Sequence, residues 1–254
     1  IKSKEEIEKM RVSGRLAAET LSLVRKQIKA GMTTDEINTL VHEFTLKSGA
    51  IPAPLNYRGA RGDLPPFPKS CCTSVNNVVC HGIPSSRRLR DGDIVNVDVT
   101  CILDGFHGDT SATFVIGTAS KEAQRVTEVA ERALQLGIEE VKPGERIGNI
   151  GAAIQEYVER EGFSVVRDFV GHGIGRKFHT SPQIFHHGTR GTGIRMQPGM
   201  IFTIEPMVNV GVPDVFIDSE DEWTVYTADG QISAQFEHTI LVTETGYEIL
   251  TNEM

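Results

Sequence analysis

Two aspartates, Asp98 and Asp109, stand in a stretch that is otherwise typical of a β-hairpin, VNVDVTCILDGFHGDTSATF over 95–114. The Asp-Gly pair at 104–105 predicts a two-residue turn, because both turn positions need a positive φ. Residues whose numbers sum to 209 then pair, so Asp98 faces Ser111 and Asp109 lies two positions away on the same face. Two carboxylates this close repel each other unless a proton or a cation lies between them. The alternative is a pair of solvated acids on an exposed sheet face.

The order of segments in the first half of the chain recurs in the second half. SKEEIEKM and SKEAQRVT each predict a long helix that begins after a serine cap, with a glutamate in its first turn. A turn followed by a second helix is predicted in each half, together over 30–44 and 142–158. We therefore expect an α/β (α+β) fold of two helix–helix–strand halves, about 3–117 and 120–250, around a pseudo-twofold axis.

The repeat also places polar residues of the two halves in register. VCHGIP and VGHGIG align His81 with His172. LRDGDIVNVD and MQPGMIFTIE align Asp98 with Glu205. With one further acid-bearing strand in each half, the candidates that face inward are Asp98, Asp109, His172, Glu205 and Glu237, with His81 and His179 nearby.

This set of side chains has the chemistry of a metal site. Four carboxylates cannot share one pocket without cations, because their repulsion would raise their pKa values by several units. Oxygen-rich ligation with one imidazole suits a hard to borderline divalent ion, Mn, Fe(II), Co or Zn, and suits Mg less well. Two ions bridged by shared carboxylates would hold and activate a water molecule. The sequence has no H-E-x-x-H motif, which excludes the helical zinc-protease site.

Five collinear segments resemble the signature segments of the type I methionine aminopeptidases. They are VVCHGIP, GDIVNVDVT with DGFHGDTSATF, GHGIGRKFHTSPQI, GMIFTIEPM and SAQFEHTILVT. The resemblance covers nearly the whole chain and implies a single catalytic domain over 1–254 with the duplicated pita-bread fold and a central curved, largely antiparallel sheet. Only 25 residues separate His179 from Glu205, where the type II form carries a large helical insertion.

The resemblance implies a role for each metal-site candidate. Asp98 and Asp109 resemble the family's bidentate and bridging aspartates. His172 resembles its single imidazole ligand, and Glu237 its bridging glutamate. Glu205 resembles the ligand that also handles protons, and it is therefore counted as catalytic.

Further roles follow from the same resemblance. His81 and His179 match histidines that contact the substrate and the tetrahedral intermediate. Residues at or beside the positions of the family's methionine pocket are Tyr57, Phe67, Cys72, Phe178 and Trp223. Some members bind a monovalent cation at positions that match Asn76, Val78 and Ser233. An apparent insertion over about 60–66 separates Tyr57 from Phe67, and Phe67 lacks the hydroxyl of a tyrosine.

Composition and charge argue against several other classes of function. The chain has 254 residues and a net charge of −8. No Lys or Arg follows Arg195, while 196–254 hold eleven acids, which disfavours nucleic acid as the main partner. No apolar run reaches the roughly 20 residues of a membrane helix, and no signal peptide is evident. Four cysteines without disulfide spacing indicate reduced thiols, so we expect a cytoplasmic protein. We also expect it to be a monomer.

The remaining histidines and cysteines are interpreted as structural. His107 follows the hairpin turn and is expected to support the fold rather than bind metal. His186 and His187 are expected in a surface loop. Cys72, Cys80 and Cys101 are expected to be small buried residues rather than nucleophiles, although Cys72 could line a pocket.

The sequence therefore predicts a dinuclear metallo-aminopeptidase that removes the initiator methionine from nascent proteins and peptides when the next residue is small. One alternative is a proline-directed peptidase of the same fold, such as a prolidase, which typically carries an additional N-terminal domain. Another is an inactive binding module, which usually loses metal ligands. The expected partners are polypeptide N-termini, with transient ribosome contact through Arg87, Arg88 and Arg90 and no DNA or membrane partner.

Overall fold

Residues 1–252 are described by the structure, a computed structural model. The helices are α1 (Lys4–Gln27), α2 (Thr34–Lys47), α3 (Lys121–Glu139) and α4 (Gly148–Arg160). The strands of the first half are β1 (Ile51–Pro52), β2 (Cys72–Val75), β3 (Val78–Cys80), β4 (Ile94–Leu103) and β5 (Phe106–Val115). Those of the second half are β6 (Ser164–Val165), β7 (Gly171–Gly173), β8 (Thr180–Ile184), β9 (Ile201–Ile204), β10 (Met207–Asn209), β11 (Val215–Ile217), β12 (Val225–Thr227), β13 (Ser233–Gln235), β14 (His238–Val242) and β15 (Tyr247–Ile249).

Side-chain caps fix where three of these helices begin. The Ser3 hydroxyl accepts the backbone N–H of Glu6, whose carboxylate accepts the N–H of Ser3, so α1 starts with a capping box. α2 begins with the same arrangement after Thr33, and α3 begins after Ser120. α4 has no side-chain cap. Every helix within 1–252 is too short or too polar to span a bilayer.

The strands form four small sheets in which every pair is antiparallel. β4 is flanked by β1, β2 and β5, and the largest sheet has the order β15-β14-β9-β7-β8. The other two sheets have the orders β13-β10-β6 and β11-β12-β3, so β3 of the first half joins strands of the second. The predicted mixed α/β fold with antiparallel sheets is confirmed.

The β4–β5 hairpin has the predicted register. Its turn consists of Asp104 and Gly105, with φ values of 50° and 79°. Such positive values are strained for most residues and easy for glycine. Asp98 pairs with Ser111, and Asp109 pairs with the residue two positions beyond Asp98. The two acids therefore share one face of the hairpin, as expected.

The two halves meet where β5 lies beside the segment between β13 and β14. The Glu237 N–H donates to the Ser111 carbonyl at 3.0 Å, and the Ser111 N–H donates back at 3.4 Å. Hydroxyls strengthen this junction, because Thr110 donates to the Glu237 carbonyl and Thr239 to the Asp109 carbonyl, both at 2.8 Å. The largest cluster of buried apolar side chains draws on both halves, so one core supports the junction.

Candidate active site

A cavity of about 310 Å³ opens at the junction of the halves. This volume is at the lower end of the roughly 300–1,000 Å³ that is typical of small-molecule sites. All five metal-site candidates and both histidines that are candidates for substrate contact line it, namely Asp98, Asp109, His172, Glu205, Glu237, His81 and His179. The structure thus brings together residues that are up to 156 positions apart in the sequence (237 − 81).

The ligand atoms at the base of the cavity are close to one another. One potential ligand atom each from Asp109, His172 and Glu237 lie within 4.8 Å of one another. The His172 Nε2 is 3.6 Å from an oxygen of Asp109 and 3.6 Å from an oxygen of Glu205. Asp98 lines the same cavity, and its Oδ1 is fully shielded from water and has no hydrogen-bond partner among residues 1–252.

Burial disfavours the charged forms of these groups. It raises the pKa of Asp98 to about 7 and that of Glu205 to about 8. Burial, followed by repulsion from the neighbouring carboxylates, also raises the pKa of Asp109 and that of Glu237. A cation among them would relieve both the desolvation and the repulsion.

The imidazole of His172 presents a lone pair to this cluster. Its Nδ1–H donates to the Gly173 carbonyl at 3.1 Å, which leaves Nε2 as the acceptor that faces the carboxylates. Burial lowers the pKa of His172 to about 4, so the ring is neutral near pH 7. An unprotonated nitrogen, four carboxylates and an unpartnered buried oxygen together fit a divalent cation site.

Threonine and glutamine side chains hold the carboxylates in place. Thr100 donates to Asp109 at 2.7 Å. Thr203 donates to Glu205 Oε1 at 2.8 Å and accepts the backbone N–H of His172 at 2.9 Å. Gln235 donates to the Glu205 carbonyl at 3.2 Å and lies 3.4 Å from its Oε2. The sequence analysis did not identify these two threonines and the glutamine. The available signal was that each lies two positions from one of the candidate acids.

The Gly-His-Gly sequence of β7 is explained by close backbone packing. A Cβ at Gly173 would lie 2.1 Å from the Ser181 carbonyl oxygen of β8. Any larger residue would push the two strands apart and would move His172 away from the cavity.

The prediction that His186 lies in a surface loop is wrong. The residue is 0% exposed, and its Nε2 accepts the backbone N–H of Glu205 at 3.1 Å. Burial continues to alternate after β8, with Ile184 inside, Phe185 outside and His186 inside again. Without this ring, the backbone N–H of Glu205 would have no hydrogen-bond acceptor among the described residues. His187, in contrast, is partly exposed.

The structure gives His107 and the cysteines supporting positions. The His107 Nδ1–H donates to the Gly175 carbonyl at 2.8 Å, and its ring stacks on Phe178 at 5.5 Å. This contact braces the loop that precedes β8. All four cysteines are buried with free thiols, and burial raises the pKa of each thiol. A protonated thiol is a poor nucleophile, so these contacts agree with the structural interpretation.

The methionine-pocket candidates form one wall of the cavity despite the insertion. The lining includes Tyr57, Phe67, Cys72, Phe178 and Trp223. The Phe67 N–H donates to the Tyr57 carbonyl, and the Asn56 N–H donates to the Phe67 carbonyl, both at 2.8 Å. These bonds close the base of the segment 58–66, so the insertion loops out and leaves the wall intact.

Part of this loop itself reaches the cavity. Gly59, Ala60 and Leu64 line it, which the sequence analysis did not anticipate. The indole Nε1–H of Trp223 donates to the Pro65 carbonyl at 2.9 Å, which ties the loop to the aromatic wall.

His81 and His179 approach the cluster from different sides. His81 has a positive φ of 56°, a strained conformation that points to a functional constraint. Its ring meets Phe169 edge-on at 5.4 Å. The ring of His179 lies 4.0 Å from that of His172, and its Nδ1 is 2.7 Å from the Tyr57 hydroxyl. Burial lowers the pKa of His81 to about 4 and that of His179 to about 2.

The monovalent-cation candidates lie on neighbouring segments. The Ser233 N–H donates to the Asn76 carbonyl at 2.9 Å, and the Ser233 hydroxyl donates to the Val208 carbonyl at 3.3 Å. The Asn76 side chain is already bonded to Asp93 and to the backbone of Ile94. Val78 begins the adjacent strand β3.

Comparisons with known proteins agree with this geometry. The model of metallopeptidase family M24 matches residues 8–244. Methionine aminopeptidase A of Synechocystis sp. is 56% identical over 250 residues, which cover 98% of this chain and 96% of that protein. The crystal structure of methionine aminopeptidase from Rickettsia prowazekii superposes with a TM-score of 0.95 at 50% identity and covers 99% of both chains. A prolidase from Pyrococcus horikoshii, 20% identical with a TM-score of 0.78 over 100% of this chain and 64% of its own, shares the fold alone. The chain therefore belongs to metallopeptidase family M24 and, within it, to the methionine aminopeptidases.

Proposed function

We propose that this chain is a metal-dependent aminopeptidase that removes the initiator methionine from proteins and peptides when the next residue is small. The observation that carries the proposal is the group of four carboxylates, two buried and two partly buried, and one neutral imidazole in an aromatic-walled cavity. Such a group suits hydrolysis, and the relatives are methionine aminopeptidases. The chain acts as one catalytic domain over 1–254, since both halves supply site residues.

Two divalent ions, Mn, Fe(II), Co or Zn, would be held by Asp98, Asp109, His172, Glu205 and Glu237. They supply Lewis acidity, which polarises a carbonyl group and lowers the pKa of a water molecule. A monovalent cation near Asn76, Val78 and Ser233 is a further part of the proposal. Its support is the proximity of Asn76 and Ser233.

Glu205 is the residue that we assign to proton transfer. Three groups orient it: the Thr203 hydroxyl, the Gln235 amide and His186, which fixes its backbone. From this position Glu205 takes a proton from the attacking water and passes it to the leaving amine. His179 donates a hydrogen bond to the oxygen on which negative charge develops, and His81 contacts the scissile peptide near its nitrogen.

The aromatic wall accounts for a preference for methionine. Tyr57, Phe67 and Trp223 pack around one another, with Phe67 and Trp223 edge-to-face at 5.3 Å. A flexible thioether gains roughly 0.3–1.5 kcal/mol from sulfur–aromatic contacts. Cys72 and Phe178 complete the wall. An unbranched apolar side chain therefore suits this pocket better than a charged one.

The deciding experiment measures release of methionine from Met-Ala-Ser by chelated protein after addition of Mn, Fe(II), Co or Zn under anaerobic conditions. We expect turnover that depends on the metal, and no cleavage of X-Pro dipeptides. Preferential cleavage of X-Pro dipeptides would favour a prolidase. Metal binding without hydrolysis of either substrate would favour an inactive binding module.

The cellular setting is also proposed. We expect a cytoplasmic monomer that meets nascent N-termini at the ribosome through a weak, salt-sensitive contact. Arg87, Arg88 and Arg90 are exposed on one loop, whereas the segment over 214–222 is acidic and would be repelled by RNA. Replacing the three arginines with serine should weaken cosedimentation with ribosomes. Neutralising the acids of 214–222 should leave it unchanged or tighten it, and a loss there would contradict the assignment.

A further inference from the structure

The hydroxyl of Tyr57 makes a specific hydrogen bond that the apolar wall of a methionine pocket does not need. It lies 2.7 Å from His179 Nδ1, and this is the one hydrogen bond that the structure gives it within 1–252. The two rings are nearly parallel, with an angle of 18° between their planes. A purely apolar wall would be served equally well by phenylalanine, which occupies the neighbouring position 67.

The hydrogen bond selects one tautomer of His179. A neutral imidazole carries one N–H donor and one acceptor nitrogen. If Nδ1 carried the hydrogen, the tyrosyl hydrogen would have no acceptor among the described residues. With Tyr57 as the donor, Nδ1 is the acceptor, and the hydrogen of His179 is on Nε2.

The neighbouring His172 has the opposite arrangement. Its Nδ1–H donates to the Gly173 carbonyl, so its Nε2 offers a lone pair to the carboxylate cluster. The two rings are only 4.0 Å apart. The two neighbouring rings therefore have different hydrogen-bonding roles, because His172 presents an acceptor nitrogen and His179 presents a donor.

The backbone holds Tyr57 where its hydroxyl can reach His179. Phe67 donates to the Tyr57 carbonyl and accepts from Asn56, which has a positive φ of 66°. The Tyr57 ring also packs on Phe178 at 4.9 Å. The backbone thus fixes Tyr57 at the closed base of the segment 58–66 rather than within it.

We propose that Tyr57 is a positioning residue that holds His179 with its hydrogen on Nε2, so that His179 donates to the substrate oxygen on which negative charge develops. This rests on the proposed aminopeptidase function. Stabilisation of that oxygen requires a donor aimed at it before the reaction begins. Without the tyrosyl hydroxyl, the ring would divide its time between two tautomers, and only one of them could donate.

The kinetic test uses Tyr57→Phe, which removes one oxygen and keeps the ring. We expect kcat on Met-Ala-Ser to fall roughly three- to tenfold, the equivalent of one hydrogen bond, with KM nearly unchanged. In a His179→Ala background, Tyr57→Phe should have no further effect. Tyr247→Phe is the matched control, because that hydroxyl belongs to a largely exposed residue of β15 outside the cavity lining, and it should leave both constants unchanged.

A spectroscopic readout separates positioning from a merely structural role. Nitrogen-15 NMR of the zinc-loaded protein reports which ring nitrogen carries the hydrogen, and the His179 signals are assigned by their loss in His179→Ala. The wild type should show a protonated Nε2 and an unprotonated Nδ1. In Tyr57→Phe both signals should move toward averaged values, while those of His172 stay in place.

The outcomes distinguish this inference from the proposed function. Failure of the wild type to cleave Met-Ala-Ser with any of the four metals would overturn the function, and the inference with it. Wild-type cleavage with an unchanged kcat in Tyr57→Phe, a loss confined to KM, or unmoved His179 signals would overturn the inference alone.

Discussion

Within residues 1–252, Thr203 is the single buried hydroxyl whose hydrogen bonds join two of the proposed metal ligands, so replacing it tests the support of the site directly. The residue is 0% exposed, donates to Glu205 Oε1 at 2.8 Å and accepts the backbone N–H of His172 at 2.9 Å. Thr203→Val keeps the shape of the side chain and removes both bonds. The cavity wall itself should therefore remain closed.

The two bonds set the expected magnitude. In the metal-loaded protein, where Glu205 is a charged carboxylate, loss of the hydrogen bond to it costs about 1.5–3 kcal/mol, and a buried N–H left without an acceptor costs about 1–3 kcal/mol. The added methyl group of valine offsets roughly 0.8 kcal/mol. We therefore expect the free energy of unfolding to fall by about 2–4 kcal/mol, since such terms are not fully additive. Loss of a group that hydrogen-bonds to a metal ligand typically lowers metal affinity or activity roughly 10–100-fold. We therefore expect metal affinity or kcat to drop by about that factor.

The assay combines urea unfolding, calorimetric titration of chelated protein with Mn or Zn, and kcat on Met-Ala-Ser. Thr20→Val is the matched control, because Thr20 is also 0% exposed but donates only to the Leu16 carbonyl within α1. It should cost about 1 kcal/mol and leave activity unchanged. Thr203→Val with wild-type metal affinity and kcat would refute the idea that this hydroxyl orients Glu205.

Three further results are expected. Glu237→Ala should abolish metal-dependent hydrolysis while circular dichroism shows intact helices, and near-normal turnover would remove Glu237 from the ligand set. His179→Ala should keep metal binding by calorimetry but lose roughly 10²–10³ in kcat, the usual cost of one oxyanion donor, and a change in KM alone would contradict that role. In chelated protein, burial raises the pKa of Asp98 from 3.8 to about 7, so folding stability should fall as pH rises through that range, because the folded state binds more protons than the unfolded state. Chelated Asp98→Asn should therefore be more stable than chelated wild type at pH 8 and lose the advantage toward pH 4, as urea titrations at each pH would show; an advantage independent of pH would contradict the assignment.

Local patterns predicted the part of the site that local chemistry controls. The positive φ values required at Asp104 and Gly105 fix the hairpin turn, and the turn fixes the register that puts Asp98 and Asp109 on one face. Because side chains alternate between the two faces of a strand, this register places both carboxylates on the same face. The helix starts were predictable for the same reason, since a serine cap acts only on the next turn.

Contacts between segments that are far apart in the sequence could not be predicted from local patterns. His186 follows a strand end, where the sequence does not show whether the side chain turns inward, and its partner is the backbone of Glu205. The Tyr57–His179 bond joins residues 122 positions apart. The path of the 58–66 loop depends on its closure by Phe67, which only the assembled wall reveals.

The junction between β5 and the β13–β14 segment also has a consequence for the order of synthesis. Glu237 and β14 leave the ribosome after the other four proposed ligands, and Leu250, which follows them, packs so closely on α1 that a Cβ at Gly14 would lie 2.6 Å from its carbonyl oxygen. Until these residues emerge, β9 lacks its partner β14 and the metal site lacks its Glu237 carboxylate. A chain halted before residue 237 would hold an unpaired strand edge prone to aggregation and no complete ligand set. The metal site of this protein can therefore be completed only after translation has passed residue 237.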